Sequence, residues 1–266
     1  MKLGVCPTPD EQGEHQPEAA YPDPGCRHHR QSTKARNRLL PLGQLAVMIS
    51  MAFNAFSENT VVLHDGAKGA IVFDPGMSTP DEWRRFEEEL SRRGWTPRAL
   101  LLTHAHLDHV LGCAGMQDRY GLLPRVHAED QVTYSMAPKA AELYGVPMDP
   151  LPDLHPDSLV DGDVLVFGDL KLTIHWTPGH APGHVVFVDE EGNRLVGGDV
   201  LFRGSVGRTD LPGGDAPTLV NSIRSVLYTL PADMEVWPGH GPMTTIGEER
   251  TSNPFVNGAG TGMMQA

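Results

Sequence analysis

Within six residues the chain places His104, His106, Asp108 and His109, spaced H-x-H-x-D-H, directly behind the apolar run Ala99-Leu100-Leu101-Leu102. Neutral imidazole and carboxylate are the usual ligands of Zn, Fe and Mn, so the cluster reads as a metal site. Side chains two apart on an extended segment point the same way, which lets His104 and His106 reach one ion together. Asp108 and His109 fall on the opening turn of a helix expected from Leu107 to about Tyr120, aimed at a neighbouring position. One cluster therefore implies two adjacent ions, and four residues cannot complete two coordination shells.

The missing ligands should be histidines and carboxylates at other strand ends. His180 follows the alternating segment Leu170 to Trp176, Asp199 closes Leu195-Val196-Gly197-Gly198-Asp199, and His240 sits in Val236-Trp237-Pro238-Gly239-His240-Gly241. Each follows a strand-like run and has glycine close by, where the backbone can turn tightly and approach a ligand. His184, four residues beyond His180, reads as a supporting or packing residue rather than a ligand.

These segments resemble the five motifs of the metallo-β-lactamase-fold hydrolases over about residues 53 to 255. Asp74, in Ile71-Val72-Phe73-Asp74-Pro75-Gly76, resembles the first motif, whose aspartate orients the metal loop; a turn-forming aspartate is an equal reading. The resemblance implies that His104, His106 and His180 hold a first ion and Asp108, His109 and His240 a second. Asp199 matches the bridging carboxylate, where classical lactamases commonly carry cysteine. It also implies an α/β four-layer αβ/βα sandwich with the ligands along the edge where two sheets meet.

The stretch Gly198 to Asp210, together with Pro238-Gly239-His240-Gly241-Pro242 and Asn253-Pro254-Phe255-Val256, is similar to the glyoxalase II group, in particular short bacterial hydroxyacylglutathione-hydrolase-like enzymes. That resemblance implies a small-molecule thioester substrate such as S-2-hydroxyacylglutathione. A hydroxide bridging two divalent ions would attack the carbonyl, with Asp108 both ligating and orienting it. Zinc is the first expectation; iron or manganese remains open because no thiolate selects zinc. Arg208 is a candidate for a substrate carboxylate, balanced against a structural pair with Asp210 or Asp215. Gly207-Arg208-Thr209-Asp210 also resembles the persulfide dioxygenases, mononuclear iron oxygenases that typically carry cysteine where this chain has Val206. The seven-residue ligand set favours two ions. A non-catalytic metal-binding module would show bound metal without turnover.

Elements that position such a site are legible around it. Thr79, Pro80 and Glu82 give a capping box and a favoured first position for a helix ending at Gly94. Asn59 to His64 and Gly69 to Asp74 read as paired strands about Asp65-Gly66, and Val164 to Phe167 with Leu170 to Trp176 as a hairpin about Gly168-Asp169. Leu170, Leu172, Ile174 and Trp176 form the expected buried face, leaving His175 solvated. Ala216 to Leu230 reads as an amphipathic helix, and Thr245 with Glu248 as the cap of a last one. Cys113 reads as a packing residue, and so does Tyr144, with pocket lining as its second reading.

Composition narrows the function classes. The formal charge is −13; residues 1–47 hold six Lys/Arg against five Asp/Glu, leaving 15 against 29 in the rest. An acidic catalytic region disfavours nucleic acid as a partner, because phosphate contacts need a basic surface. No run is long and apolar enough to cross a membrane. Three cysteines without paired spacing suit a reducing cytoplasm. Residues 1–47, rich in proline and with the basic stretch Arg27 to Arg38, read as a disordered leader ahead of one catalytic domain at 48–266. Pro41, Gly43, Gln44 and Asn54 interrupt any signal-peptide pattern.

Overall fold

A computed structural model describes residues 47–257, so the expectation for the leader lies outside the described residues apart from Val47. In chain order the elements are β1 Met48–Phe53, β2 Glu58–His64, β3 Gly69–Phe73, α1 Pro80–Arg93, β4 Thr96–Leu101, α2 Leu107–Val110, α3 Cys113–Tyr120, β5 Pro124–Arg125 and α4 Gln131–Tyr144. There follow β6 Val164–Phe167, β7 Leu170–Trp176, β8 Val185–Asp189, β9 Arg194–Gly198, β10 Leu201–Phe202, β11 Ser205–Val206, α5 Ala216–Ser225, β12 Glu235–Pro238, β13 Thr244–Thr245 and α6 Ile246–Ser252. The strands form a five-stranded sheet, β1-β2-β3-β4-β5, a six-stranded sheet, β13-β12-β9-β8-β7-β6, and the small hairpin β10-β11.

Side-chain alternation along the central strands generates the layers. Val61, Leu63, Ile71 and Phe73 point from the first sheet into a core shared with Leu172, Ile174, Phe187 and Val196 of the second. Phe73 and Phe187 meet there with ring centroids 5.1 Å apart, a contact worth about 0.5–1.5 kcal/mol beyond its buried area. Val62, Val72 and Leu100 point the other way, onto Trp83, Phe86 and Leu90 of α1 and Met116 of α3. On the far side Val186, Val188 and Val236 meet Leu219 and Ile223 of α5 and Ile246 of α6. Strands β3 and β8 are buried at every position, as strands covered on both faces must be. The result is the expected four-layer αβ/βα sandwich.

Strands β7 and β9 both pair antiparallel with β8, and β9 pairs parallel with β12, so β7, β9 and β12 run the same way and end on one edge. Backbone bonds stitch that edge to the first sheet: Val185 N–H donates to Thr103 O at 2.8 Å, and Asn59 N–H to Gly239 O at 2.7 Å. Positions 104, 180, 199 and 240 all lie just beyond the strands that meet there.

The entry to α1 is as the capping box implies. Thr79 Oγ1 accepts from Glu82 N–H, and Gly94 closes the helix at φ 69°. Glu82 reaches further than its helix, accepting from Asn54 N at 2.6 Å, Ser78 N at 2.8 Å and Thr79 N at 3.0 Å. Three sequence expectations need correction. The helix expected from Leu107 to Tyr120 is broken into α2 and α3 at Gly112, which packs against Pro75 and donates its N–H to Pro75 O at 2.7 Å. Helix α5 stops at Ser225 and continues only as a 3₁₀ turn, Leu227–Thr229. Trp176 is exposed rather than on the buried face; its ring stacks on His127 and its Nε1 donates to Pro182 O.

Burial opposes ionisation of Glu82, but the hydrogen bonds from Ser78, Asn54 and Thr79 outweigh it and hold the carboxyl below its usual range. A depressed folded pKa adds stability above the unfolded value and loses it as pH falls through the folded one. Glu82→Ala is expected to cost about 1–2 kcal/mol at neutral pH, with the gap from wild type closing as acid protonates the carboxylate. Urea unfolding at pH 7 and pH 4 measures this; a gap independent of pH would contradict it.

Candidate metal centre

The four elements of the edge bring the seven expected residues into two adjoining groups. The ligand atoms of His104, His106 and His180 lie within 4.8 Å of one another, as do those of Asp108, His109 and His240. Asp199 stands between the groups: one carboxylate oxygen is 3.5 Å from His109 Nε2, and the other is 3.5 Å from His180 Nε2 and 3.6 Å from His240 Nε2. Asp108 Oδ2 is 3.0 Å from His240 Nε2 and 3.6 Å from His109 Nε2. Gly239 makes the approach feasible, since a Cβ there would collide with Asp199 Oδ1.

Hydrogen-bond partners assign the tautomers. Thr103 Oγ1 donates to Asp74 Oδ2 at 2.6 Å, so it can only accept from His104 Nδ1–H at 3.1 Å. His180 Nδ1–H donates to Arg208 O at 2.7 Å. Both rings therefore carry a lone pair on Nε2, yet these two atoms face each other at 3.1 Å, and His106 Nδ1 lies 2.9 Å from His180 Nε2. Lone pairs held this close repel unless a cation sits among them. The second group makes the same demand. Both ring nitrogens of His109 and Oδ1 of Asp199 are buried without a hydrogen-bond partner, a costly arrangement unless something else binds them.

The electrostatics favour the ligating forms of His104, His106, His180 and Asp199. At His109 and His240 burial is outweighed by the carboxylates of Asp108 and Asp199, which raise both, so a cation binding there would displace a proton. Burial holds His104 well below the usual histidine range and His106 down to about 3, and also lowers His180. For Asp199, burial opposes ionisation but is outweighed by His109 and His180, so the carboxylate stays charged. The donor set of imidazoles and carboxylates, with no thiolate, suits a dinuclear site of divalent ions.

Supporting residues hold these ligands. Asp74, at φ 50°, accepts from Thr103 N at 2.7 Å and from its hydroxyl, and lies 3.2 Å from His109 Nδ1. Its oxygens are thus committed to orienting the loop, although its carboxylate also lies near His104 and His109. His184 Nε2 accepts from Asp199 N–H at 3.0 Å and its Nδ1 lies 3.0 Å from Thr177 Oγ1, so its lone pair is taken by backbone. Cys113 is buried in the core behind α1.

Sequence reasoning missed Asp130. It is buried at the start of α4 and accepts from Ala105 N at 2.5 Å, Gly183 N at 3.1 Å and Thr133 Oγ1 at 3.0 Å, tying the His104–His106 loop to the loop of His180. Glu58 was also missed: fully buried, with burial raising its pKa well above the usual range, it sits where β2 bridges to His240. No local spacing marks either one. Arg208 lies at the mouth of the site, its guanidinium gripping Asp210 at 2.6 and 2.8 Å. Tyr144 packs at the surface against Phe56 and also lines the cavity over the cluster.

A two-sheet αβ/βα sandwich with a His/Asp cluster suited to two metal ions at its strand-end edge matches a class of metallo-hydrolases. The chain belongs to the metallo-beta-lactamase superfamily, whose profile matches residues 54–240. It is 37% identical over 206 residues to the hydroxyacylglutathione hydrolase GloC of Haemophilus influenzae, covering 76% of this chain and 94% of that protein. Among solved structures it is similar to TTHA1623 in a di-iron-bound form, at 39% identity and TM-score 0.70 over 78% of this chain and 99% of the other. It is also similar to the BLEG-1 B3 metallo-beta-lactamase, at 33% identity and TM-score 0.73 over 80% and 100%.

His240 is the most exposed histidine of the centre, while His104 and His180 are buried. His240→Ala is expected to reduce bound metal from about two ions per chain to about one, read by elemental analysis of dialysed protein. Equal loss from both positions would contradict the division into two groups.

Proposed function

We propose that this metallo-hydrolase cleaves thioesters of small-molecule acids, of the S-2-hydroxyacylglutathione kind, at a centre of two divalent ions. The observation that supports a metal centre is the pair of imidazole lone pairs facing each other beside the Asp199 carboxylate, and the similarity to the hydroxyacylglutathione hydrolase GloC supports the substrate class. His104, His106 and His180 would hold the first ion, Asp108, His109 and His240 the second, and Asp199 would bridge. When bound, two such ions lower the pKa of a shared water from about 15.7 toward 7 and polarise a carbonyl oxygen. Zinc is the first choice, and the di-iron form of TTHA1623 supports iron as the alternative.

The chain's own residues supply the rest. Asp108, whose Oδ2 lies 3.6 Å from His109 Nε2 and 3.0 Å from His240 Nε2, would accept a hydrogen bond from the attacking water and fix its direction. Asp130 and Asp74 fix the loop that carries Asp108 and so its aim. Hydrolysis breaks the carbonyl carbon–sulfur bond, forms a carbon–oxygen bond and transfers the water proton to the departing sulfur. A thiol with a pKa of about 8.5 leaves without a strong general acid, and no further acid is needed at the cavity. Arg208 would bind a substrate carboxylate by exchanging its exposed partner Asp210, a pair weak enough to give way.

The partners expected are small molecules. No helix among the described residues is long and apolar enough to cross a membrane, and the cysteine usage supports a reducing compartment such as the cytoplasm. Elemental analysis paired with two assays tests the reading: thiol release from S-lactoylglutathione and oxygen uptake on glutathione persulfide. The expected outcome is about two divalent ions per chain with thiol release. About one iron per chain with oxygen uptake would overturn it in favour of a persulfide dioxygenase.

A further inference from the structure

The cavity above the metal centre has a volume of about 940 Å³ and reaches well beyond the ligands. Its far wall is α4, whose inner face, Tyr134, Ala137 and Ala141, packs into the protein. The opposite face presents Val132, Met136 and Leu143, exposed by 57%, 47% and 76%. Phe56, in the turn between β1 and β2, meets Tyr144 at the end of α4 edge to face, with centroids 5.8 Å apart, and so extends the apolar wall across the mouth. Large apolar side chains left in water on one helix face, and directed into the cavity that contains His106, Asp108, Asp199 and His240, point to a ligand that covers them.

The charges argue the same way. Among the described residues that line the cavity the lysines and arginines are Lys139 on α4, paired with Glu142 at 2.6 Å, and Arg208 away from α4, whose exposed pair with Asp210 at 2.6 Å is exchangeable, so the α4 wall itself offers no free cation. A polar acyl group of two or three carbons would leave the α4 wall in contact with water. Continuity with the metal centre makes the occupant part of the substrate rather than a separate partner.

We infer that the substrate carries an apolar chain or ring of several carbons beside the scissile carbonyl, and that Val132, Met136 and Leu143 of α4 select it. This rests on the hydrolase reading and specifies its substrate class. The apolar group belongs either to the acyl half or to the thiol half, and each can be varied alone.

The test uses the metal-loaded full chain and two thioester series: acetyl to octanoyl on glutathione, and acetyl on thiols from ethanethiol to octanethiol. One series is expected to show kcat/KM rising about two- to fourfold per methylene. The neutral fluorophore N-phenyl-1-naphthylamine provides a readout independent of turnover, and it is expected to bind and to be displaced by the longest members. Met136→Glu, at an exposed position that tolerates the change, is expected to flatten the rising series and weaken probe binding about tenfold. Val166→Glu, on the exposed face of β6 outside the cavity, should change neither. Hydrolysis with two flat series, or probe binding indifferent to Met136→Glu, would overturn the inference while leaving the hydrolase reading standing. A concentration-dependent dimer that excludes the probe would overturn it by assigning the face to a second copy. If no thioester is cleaved but the probe binds in a Met136-dependent way, the hydrolase reading falls and the apolar site stands.

Discussion

Two imidazole lone pairs, on Nε2 of His104 and His180, face each other across 3.1 Å, and the organisation of the molecule follows from holding them there. Neither ring can turn its proton inward, because Thr103 and the carbonyl of Arg208 take the Nδ1–H groups. The arrangement is repulsive on its own and attractive around a cation. Fixing it before an ion arrives would cost folding free energy that metal binding would return, which couples stability to metal loading on the proposed reading.

The fold supplies that fixation through few long-range bonds. Thr103 donates twice to Asp74, Ala105 and Gly183 both donate to Asp130, and His184 accepts from the backbone of Asp199. Each bond joins segments from different strands or loops, so the centre is positioned by the meeting of two sheets rather than by one segment. The ligands occupy strand ends, where the backbone is free to turn, while the inter-sheet core of Phe73, Phe187 and Leu172 holds the sheets in register. Helix α4 carries none of the seven proposed ligands and is free for the substrate-selecting role inferred for it.

What the sequence made legible is what local spacing encodes. The H-x-H-x-D-H cluster, the glycine-flanked His180, Asp199 and His240, the capping box at Thr79 and Glu82, and the hairpin about Gly168-Asp169 each carry their signal within a few residues. The layer architecture was legible through the family resemblance. Features set by distant contacts were not legible. Gly112 breaks a helix because Pro75 packs against it, Trp176 leaves its strand's buried pattern to stack on His127, and Asp130 matters only through Ala105 and Gly183. Helix α4 escaped notice because Pro138 falls inside it, where proline argues against a helix, and its apolar residues are divided between core and cavity.

The central claim is that the two groups of ligands hold two ions bridged by Asp199. Anomalous diffraction from crystals grown with zinc or iron tests it most directly. The account predicts two peaks about 3.5–4 Å apart, one among His104, His106 and His180 and one among Asp108, His109 and His240, with Asp199 between them. A single peak in the first group, or density centred on Asp74 with the second group empty, would contradict it.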